Sequence, residues 1–159
     1  MAGTATDRLG AANALALLGA SALLFGALGF QYVGGYDPCE MCFWQRWPHL
    51  AAIGLGLLAL LLRRSRLRRL PVGLAGVAIL ASGAIGLFHA GVEQKWWQGP
   101  TTCSAAPTAG GDILAGILDA PIVRCDAIPW ELFGVSLAGW NAILSVLIGG
   151  GVLWLTTRR

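Results

Sequence analysis

The chain has 159 residues, 56% of them hydrophobic and 12% charged, with a mean hydropathy of +0.67 and a formal net charge of +3. A soluble domain carries about 25% charged residues, so half the usual supply of water-facing groups is missing and the composition is that of a membrane protein. It leaves no room for a large soluble domain beside the membrane part.

A helix needs about 20 apolar residues to cross the hydrocarbon core, and four runs meet that need: Leu9–Phe30, Phe43–Leu62, Pro71–Val92 and Phe133–Leu155. Gly, Ala and Ser interrupt each run, as is common where membrane helices pack closely. The expected fold is an all-α membrane protein, a four-transmembrane-helix bundle in a single domain over 1–159. A cleaved signal peptide ending near "GASA" (Gly19–Ala22) is an alternative for the first run, but the apolar stretch continues to Phe30, longer than a usual signal core.

Outer loops are expected at about 31–42 and 93–132, and a cytoplasmic loop at 63–70. That cytoplasmic loop holds Arg63, Arg64, Arg66, Arg68 and Arg69, while Arg8, Arg158 and Arg159 lie near the termini. The positive-inside bias therefore puts both termini and the arginine loop in the cytoplasm. A patch for nucleic acid or anionic lipid is the competing reading of the arginines; a topology signal explains a short loop between two spans better. Seven of the eight acids fall on the opposite side, as do all four cysteines, Cys39, Cys42, Cys103 and Cys125. Disulfides form and persist on the outer face of a bacterial inner membrane or in the endoplasmic reticulum lumen, so the partition is a redox arrangement, structural or catalytic.

The second outer loop is the sizeable soluble segment, and Pro100, Pro107, Pro121 and Pro129 discourage regular structure in it. Within it, "GDILAGILDA" sets Ile113, Leu114, Ile117 and Leu118 on one helical face behind Asp112 as a cap. This predicts a short interfacial helix, with packing on the protein itself as the equal alternative. Trp44, Trp47, Trp96, Trp97 and Trp130 stand near the outer ends of the spans, with Trp140 deeper, as in an aromatic belt.

In "YDPCEMCFWQRWPHL", Cys39 and Cys42 form a C-x-x-C whose second thiol opens the second span. A helix N-terminus and a nearby cation both favour thiolate, and Arg46 follows Cys42 by four residues, on the same helical face. Cys42 is thus the expected nucleophilic thiolate. Three readings compete: catalytic dithiol exchange, a zinc site from all four cysteines, and two inert disulfides. Cys103 and Cys125 lack the tight second pair of structural zinc sites, and no metal is expected. A ring closed over two residues stabilises little, although Cys103–Cys125 alone suits a structural role.

Dithiol oxidation releases two electrons and two protons. No haem or iron–sulfur ligand set and no dinucleotide fingerprint is visible, which leaves an acceptor dissolved in the bilayer, a quinone. Arg46 is placed to stabilise charge developing on its oxygen, and His89 to act as a second donor or proton relay. The plainer alternatives are an arginine snorkelling to the headgroups and an ordinary interfacial histidine. His49 is read as packing or a helix-to-helix hydrogen bond.

The run "PCEMCFWQR" resembles the P-C-x-x-C-x-x-[QE]-R signature of the DsbB family, bacterial inner-membrane disulfide oxidoreductases. "FHAGVEQKWW" and "CDAIPWELFGVSLAGWN" resemble further family segments. The resemblance implies that Cys103 and Cys125 exchange with the periplasmic thioredoxin-like oxidant DsbA. Cys103 takes the mixed disulfide, and Cys125 pairs transiently with Cys39. It also implies that Cys39 and Cys42 are reoxidised by ubiquinone or menaquinone, with Arg46 and His89 at the quinone site. Membrane lipid is the remaining partner, and no nucleic acid is expected. Glu40 departs from the apolar residue found between the cysteines in many members. A relative resembling vitamin K epoxide reductase is a second enzyme reading, but those proteins carry their C-x-x-C late in the helix order. A non-catalytic membrane scaffold is the third reading.

Overall fold

The computed structural model describes residues 5–100 and 123–158. The described chain is mostly helical: α1 (Ala5–Tyr32), α2 (Glu40–Leu61), α3 (Arg69–Glu93) and α4 (Leu137–Thr157), with one 3-10 turn and one very short hairpin. In α1, Ala12, Ala16, Ala20 and Leu24 recur every fourth residue and are all buried, one helical face made of small side chains. α3 is central, packing most extensively on α4 and α2, while α1 closes the bundle against α2 and α4. Ala12, Ala16, Ala52, Ala59, Val72, Ile79 and Val152 form one core cluster drawn from all four helices.

Among the described residues three segments, Arg8–Tyr32, Arg66–Glu93 and Leu137–Thr157, are long and apolar enough to cross a membrane. α2 is of similar length but carries Gln45, Arg46 and His49 in its first half. Its polar groups Gln45 and His49 are buried while Phe43, Trp47, Leu50 and Leu57 are exposed, so its polar face turns into the bundle and its apolar face outward.

The expected start of the last span at Phe133 is corrected to Leu137. Glu131–Leu132 and Val135–Ser136 pair antiparallel, Glu131 opposite Ser136 and Leu132 opposite Val135. Phe133 (φ 54) and Gly134 (φ 73) make the turn; two left-handed residues in succession are what a tight hairpin turn needs and a helix forbids. Ser136 then caps α4, its Oγ accepting from the Gly139 amide at 3.1 Å. At the other bundle end, Ser65 Oγ accepts from Leu67 N at 3.1 Å to start the 3-10 turn Arg66–Arg68 that runs into α3. Cys103 and the expected interfacial helix after Asp112 lie outside the described residues.

Candidate redox site at the cysteine end

Cys39 is the N-cap of α2, its sulfur accepting from Cys42 N at 3.3 Å. The cap geometry brings the two sulfurs to 3.0 Å, with the Cys39 thiol donating to Cys42, beyond the roughly 2.05 Å of a covalent bond. Both are free thiols, Cys39 buried and Cys42 partly so. Cys125 is held in a disulfide and is fully buried in one cluster with Cys39, Met41 and Val92. The thiol of Cys39 is pushed above its ordinary value, first by the hydrogen bond it gives Cys42 and then by burial. The proton of the pair therefore sits on Cys39, and negative charge falls to Cys42 at the helix end.

His89, from α3, reaches across to this pair. Its Nε2 lies 3.6 Å from Cys39 Sγ, 3.2 Å from the Cys125 carbonyl and 3.8 Å from Glu93 Oε1. Its Nδ1 is 2.9 Å from Gln45 Nε2. Two independent contacts fix the tautomer. The Gln45 amide nitrogen also donates to the Met41 carbonyl at 3.1 Å, so Gln45 donates to Nδ1, which accepts. The Cys125 carbonyl needs a donor, so Nε2 carries the hydrogen. Among the described residues Cys39, Cys42 and His89 have ligand atoms within 4.8 Å of one another, a spacing a metal could use, but the ring nitrogen facing the sulfurs has no lone pair to give.

Gln45 is itself held by Asn141 of α4, whose Nδ2 donates to Gln45 Oε1 at 2.8 Å. Asn141 Oδ1 accepts from His49 Nε2 at 3.0 Å, and Ser82 Oγ lies 2.9 Å from the same nitrogen while donating to the Gln45 carbonyl at 2.8 Å. His49 thus makes helix-to-helix hydrogen bonds. Gly86 lets α3 and α4 close over this network; a Cβ there would stand 2.9 Å from Ala138 O and 3.0 Å from Asn141 Nδ2. Glu93, also buried, accepts from the Ser136 hydroxyl.

A cavity of about 640 Å³ opens beside the thiols. Leu24, Phe30, Trp130, Trp140 and Leu144 line it together with Cys39, Cys42, Arg46, His89 and Glu93. Arg46 Nη1 donates to Gln31 Oε1 of α1 at 2.6 Å, and its guanidinium lies 5.0 Å from the centre of the Phe43 ring. The far wall is anchored from the second loop: Lys95 Nζ meets Asp126 Oδ2 at 2.6 Å and Arg124 makes a two-pronged bond to the same carboxylate at 2.8 Å. Of the sequence-named residues, Cys39, Cys42, Cys125, Arg46 and His89 converge here. Gln45, Asn141, Ser82 and Glu93 belong to the same constellation without having been singled out. Gln45 lies in the quoted signature, and Glu93 follows His89 by one helical turn; Asn141 is a lone amide in an apolar run and carries no local signal.

The family model described as disulfide bond formation protein DsbB matches residues 9–155. The chain belongs to the DsbB family. It is similar to disulfide bond formation protein B of Verminephrobacter eiseniae (strain EF01-2), 33% identical over 160 residues covering 91% of this chain and 84% of that one. It is likewise similar to the protein of that name from Shewanella loihica, 34% identical over 136 residues covering 81% and 78%. The protein of Shewanella sp. (strain MR-4) is 31% identical over 130 residues, 78% and 73%. No solved structure matches the chain. Membership in the DsbB family makes disulfide bond formation the relevant chemistry and a membrane its setting.

Proposed function

We propose that this chain is a protein dithiol:quinone oxidoreductase of a bacterial inner membrane. It would reoxidise a periplasmic thioredoxin-like oxidant of the DsbA kind and pass the electron pair through two cysteine pairs to ubiquinone or menaquinone. The carrying observation is the free Cys39–Cys42 pair opening onto an apolar cavity that also holds Arg46 and His89. In this reading the chain is one membrane domain with four spans. α2 is the fourth span, and its inward-turned polar face supports that. Both termini are cytoplasmic and the cysteines periplasmic, in keeping with the gathering of arginines at the opposite end.

Exchange begins when a partner thiolate attacks the second-loop disulfide, with Cys103 taking the mixed disulfide and Cys125 leaving as thiolate. With Cys39–Cys42 closed as a disulfide, the Cys125 thiolate, in one buried cluster with Cys39, attacks Cys39 Sγ, forming Cys39–Cys125 and releasing Cys42 as thiolate. Cys103, freed when the partner closes its own disulfide, retakes Cys125 and frees Cys39. The His89 Nε2–H, shared between the Cys125 carbonyl at 3.2 Å and Cys39 Sγ at 3.6 Å, stabilises negative charge on that sulfur each time it becomes attacker or leaving group. Cys42, at the helix end, completes the pair, and closing Cys39–Cys42 as a disulfide releases two electrons and two protons.

The cavity fits a quinone: its walls are apolar and aromatic, with few polar groups, as small-molecule sites are. Arg46 and His89 would hold it, and when bound it supplies a two-electron, two-proton acceptor. Arg46, fixed by Gln31, presents a preorganised cation where charge develops.

The test is anaerobic turnover of purified protein with a reduced DsbA-type protein and a soluble ubiquinone analogue, followed by quinone absorbance. Quinone reduction by wild type and none by Cys42→Ser is expected. Absence of reduction by folded wild type, with menaquinone also tried, would hand the chain to the structural-disulfide reading.

A further inference from the structure

At the end of the bundle opposite the cysteines, a second cavity of about 590 Å³ is lined by Arg63, Arg64, Arg66, Arg68, Arg69 and Arg158. No acidic side chain lines it among the described residues. A topology signal accounts for the number of these arginines, but it asks only that they lie on one side of the membrane. It does not account for Arg68, which is 9% exposed and whose buried Nε has no hydrogen-bond partner. A buried donor left unmade is costly, and six like charges around one hollow repel one another.

Other features point the same way. The 3-10 turn Arg66–Arg68 begins here and feeds α3, and the α3 N-cap makes no side-chain cap bond, so a positive helix end adds to the guanidinium groups. Arg69 is already used, donating through Nε to the Thr156 carbonyl at 2.9 Å and closing the end of α4. Leu67 and Leu70, beside the arginines, are 68% and 65% exposed, and Trp154 is 52% exposed with Arg158 4.0 Å above its ring. A cationic hollow rimmed by exposed apolar side chains matches a molecule with a phosphate at one end and hydrocarbon at the other.

We propose that this hollow binds the phosphate headgroup of an anionic phospholipid, with Arg68 as the inner contact, Arg63, Arg64 and Arg66 at the rim, and acyl chains along Leu67, Leu70 and Trp154. Free phosphate shares the headgroup chemistry but leaves the apolar rim in water.

The full-length protein, stripped of lipid in a neutral detergent, is titrated with phosphatidylglycerol, phosphatidylcholine or inorganic phosphate while its melting temperature is followed. Phosphatidylglycerol raises it saturably, whereas equal amounts of phosphatidylcholine or phosphate do not. Each arginine removed weakens the apparent affinity about fivefold, the equivalent of about 1 kcal/mol per basic residue. Arg68→Gln is the direct variant; Arg63→Gln with Arg64→Gln, both exposed, carries the test if Arg68→Gln does not fold. Equal shifts with phosphatidylcholine, an equal shift with phosphate, or an equal weakening by Arg124→Gln at the far end would each overturn the proposal.

Discussion

The ring of His89 shows how one backbone carbonyl reaches the chemistry. Met41 O orients the Gln45 amide, Gln45 sets the His89 tautomer, and the tautomer places a hydrogen against Cys39. Gln45→Leu removes the donor at Nδ1 and frees the ring to turn its hydrogen away. Turnover is expected to fall about tenfold, the loss of one hydrogen bond of about 1.4 kcal/mol in the transition state, with Gln45→Glu altering the pH profile because it offers Nδ1 an acceptor. The thiol pair gives a pH dependence of definite sign. Because Cys39 is held well above the ordinary thiol value of about 8.5, the reduced site keeps its Cys39–Cys42 hydrogen bond as pH passes that value and loses it only as pH rises through the raised one. In reduced protein, Cys42 should be alkylated by iodoacetamide first at pH 7 and still first at pH 10, where an ordinary thiol is ionised; equal labelling at either pH would refute the assignment. The reactive pair and Arg46 are legible in sequence because a three- or four-residue spacing on one helix fixes geometry. The His89–Gln45–Asn141 chain is not, since it joins three helices whose relative rotation no local pattern records.

Elements tell a parallel story. The apolar runs announce α1, α3 and α4 because about 20 residues without a charge have few other uses. Their ends are another matter. Phe133 reads as part of a span by hydropathy, yet it occupies a left-handed turn, a conformation set by the hairpin closing from Glu131 to Ser136. Close helix approach is equally silent in sequence until the partner is known. Gly86→Val would drive a side chain into the Ala138 carbonyl and Asn141, and overpacking of this kind costs about 1–3 kcal/mol; a lower melting temperature together with lower turnover is expected. The clamp on the second loop should be robust to acid. Arg124 and then Lys95 hold the Asp126 carboxyl below the usual carboxylate range, so its contribution is present above the ordinary value of about 3.9 and is lost only as pH falls through the lowered one. Hydrogen-exchange protection near Cys125 should be unchanged from pH 8 to 5 and reduced in Asp126→Asn.

For the whole molecule, the two ends of the bundle differ in kind: thiols, most of the tryptophans and most of the acids at one, most of the arginines at the other. Sidedness follows from that asymmetry and can be measured. With the native thiols blocked, Ser65→Cys should resist a membrane-impermeant maleimide in intact spheroplasts while Lys95→Cys reacts; the opposite pattern would invert the proposed orientation. Cys125 is in a disulfide while Cys39 and Cys42 are thiols, so the fold accommodates a half-loaded state in which one pair of electrons rests on the protein. A catalyst able to hold such a charge need never meet donor and acceptor together. Its double-reciprocal plots at several fixed quinone concentrations should be parallel lines, the mark of substituted-enzyme turnover.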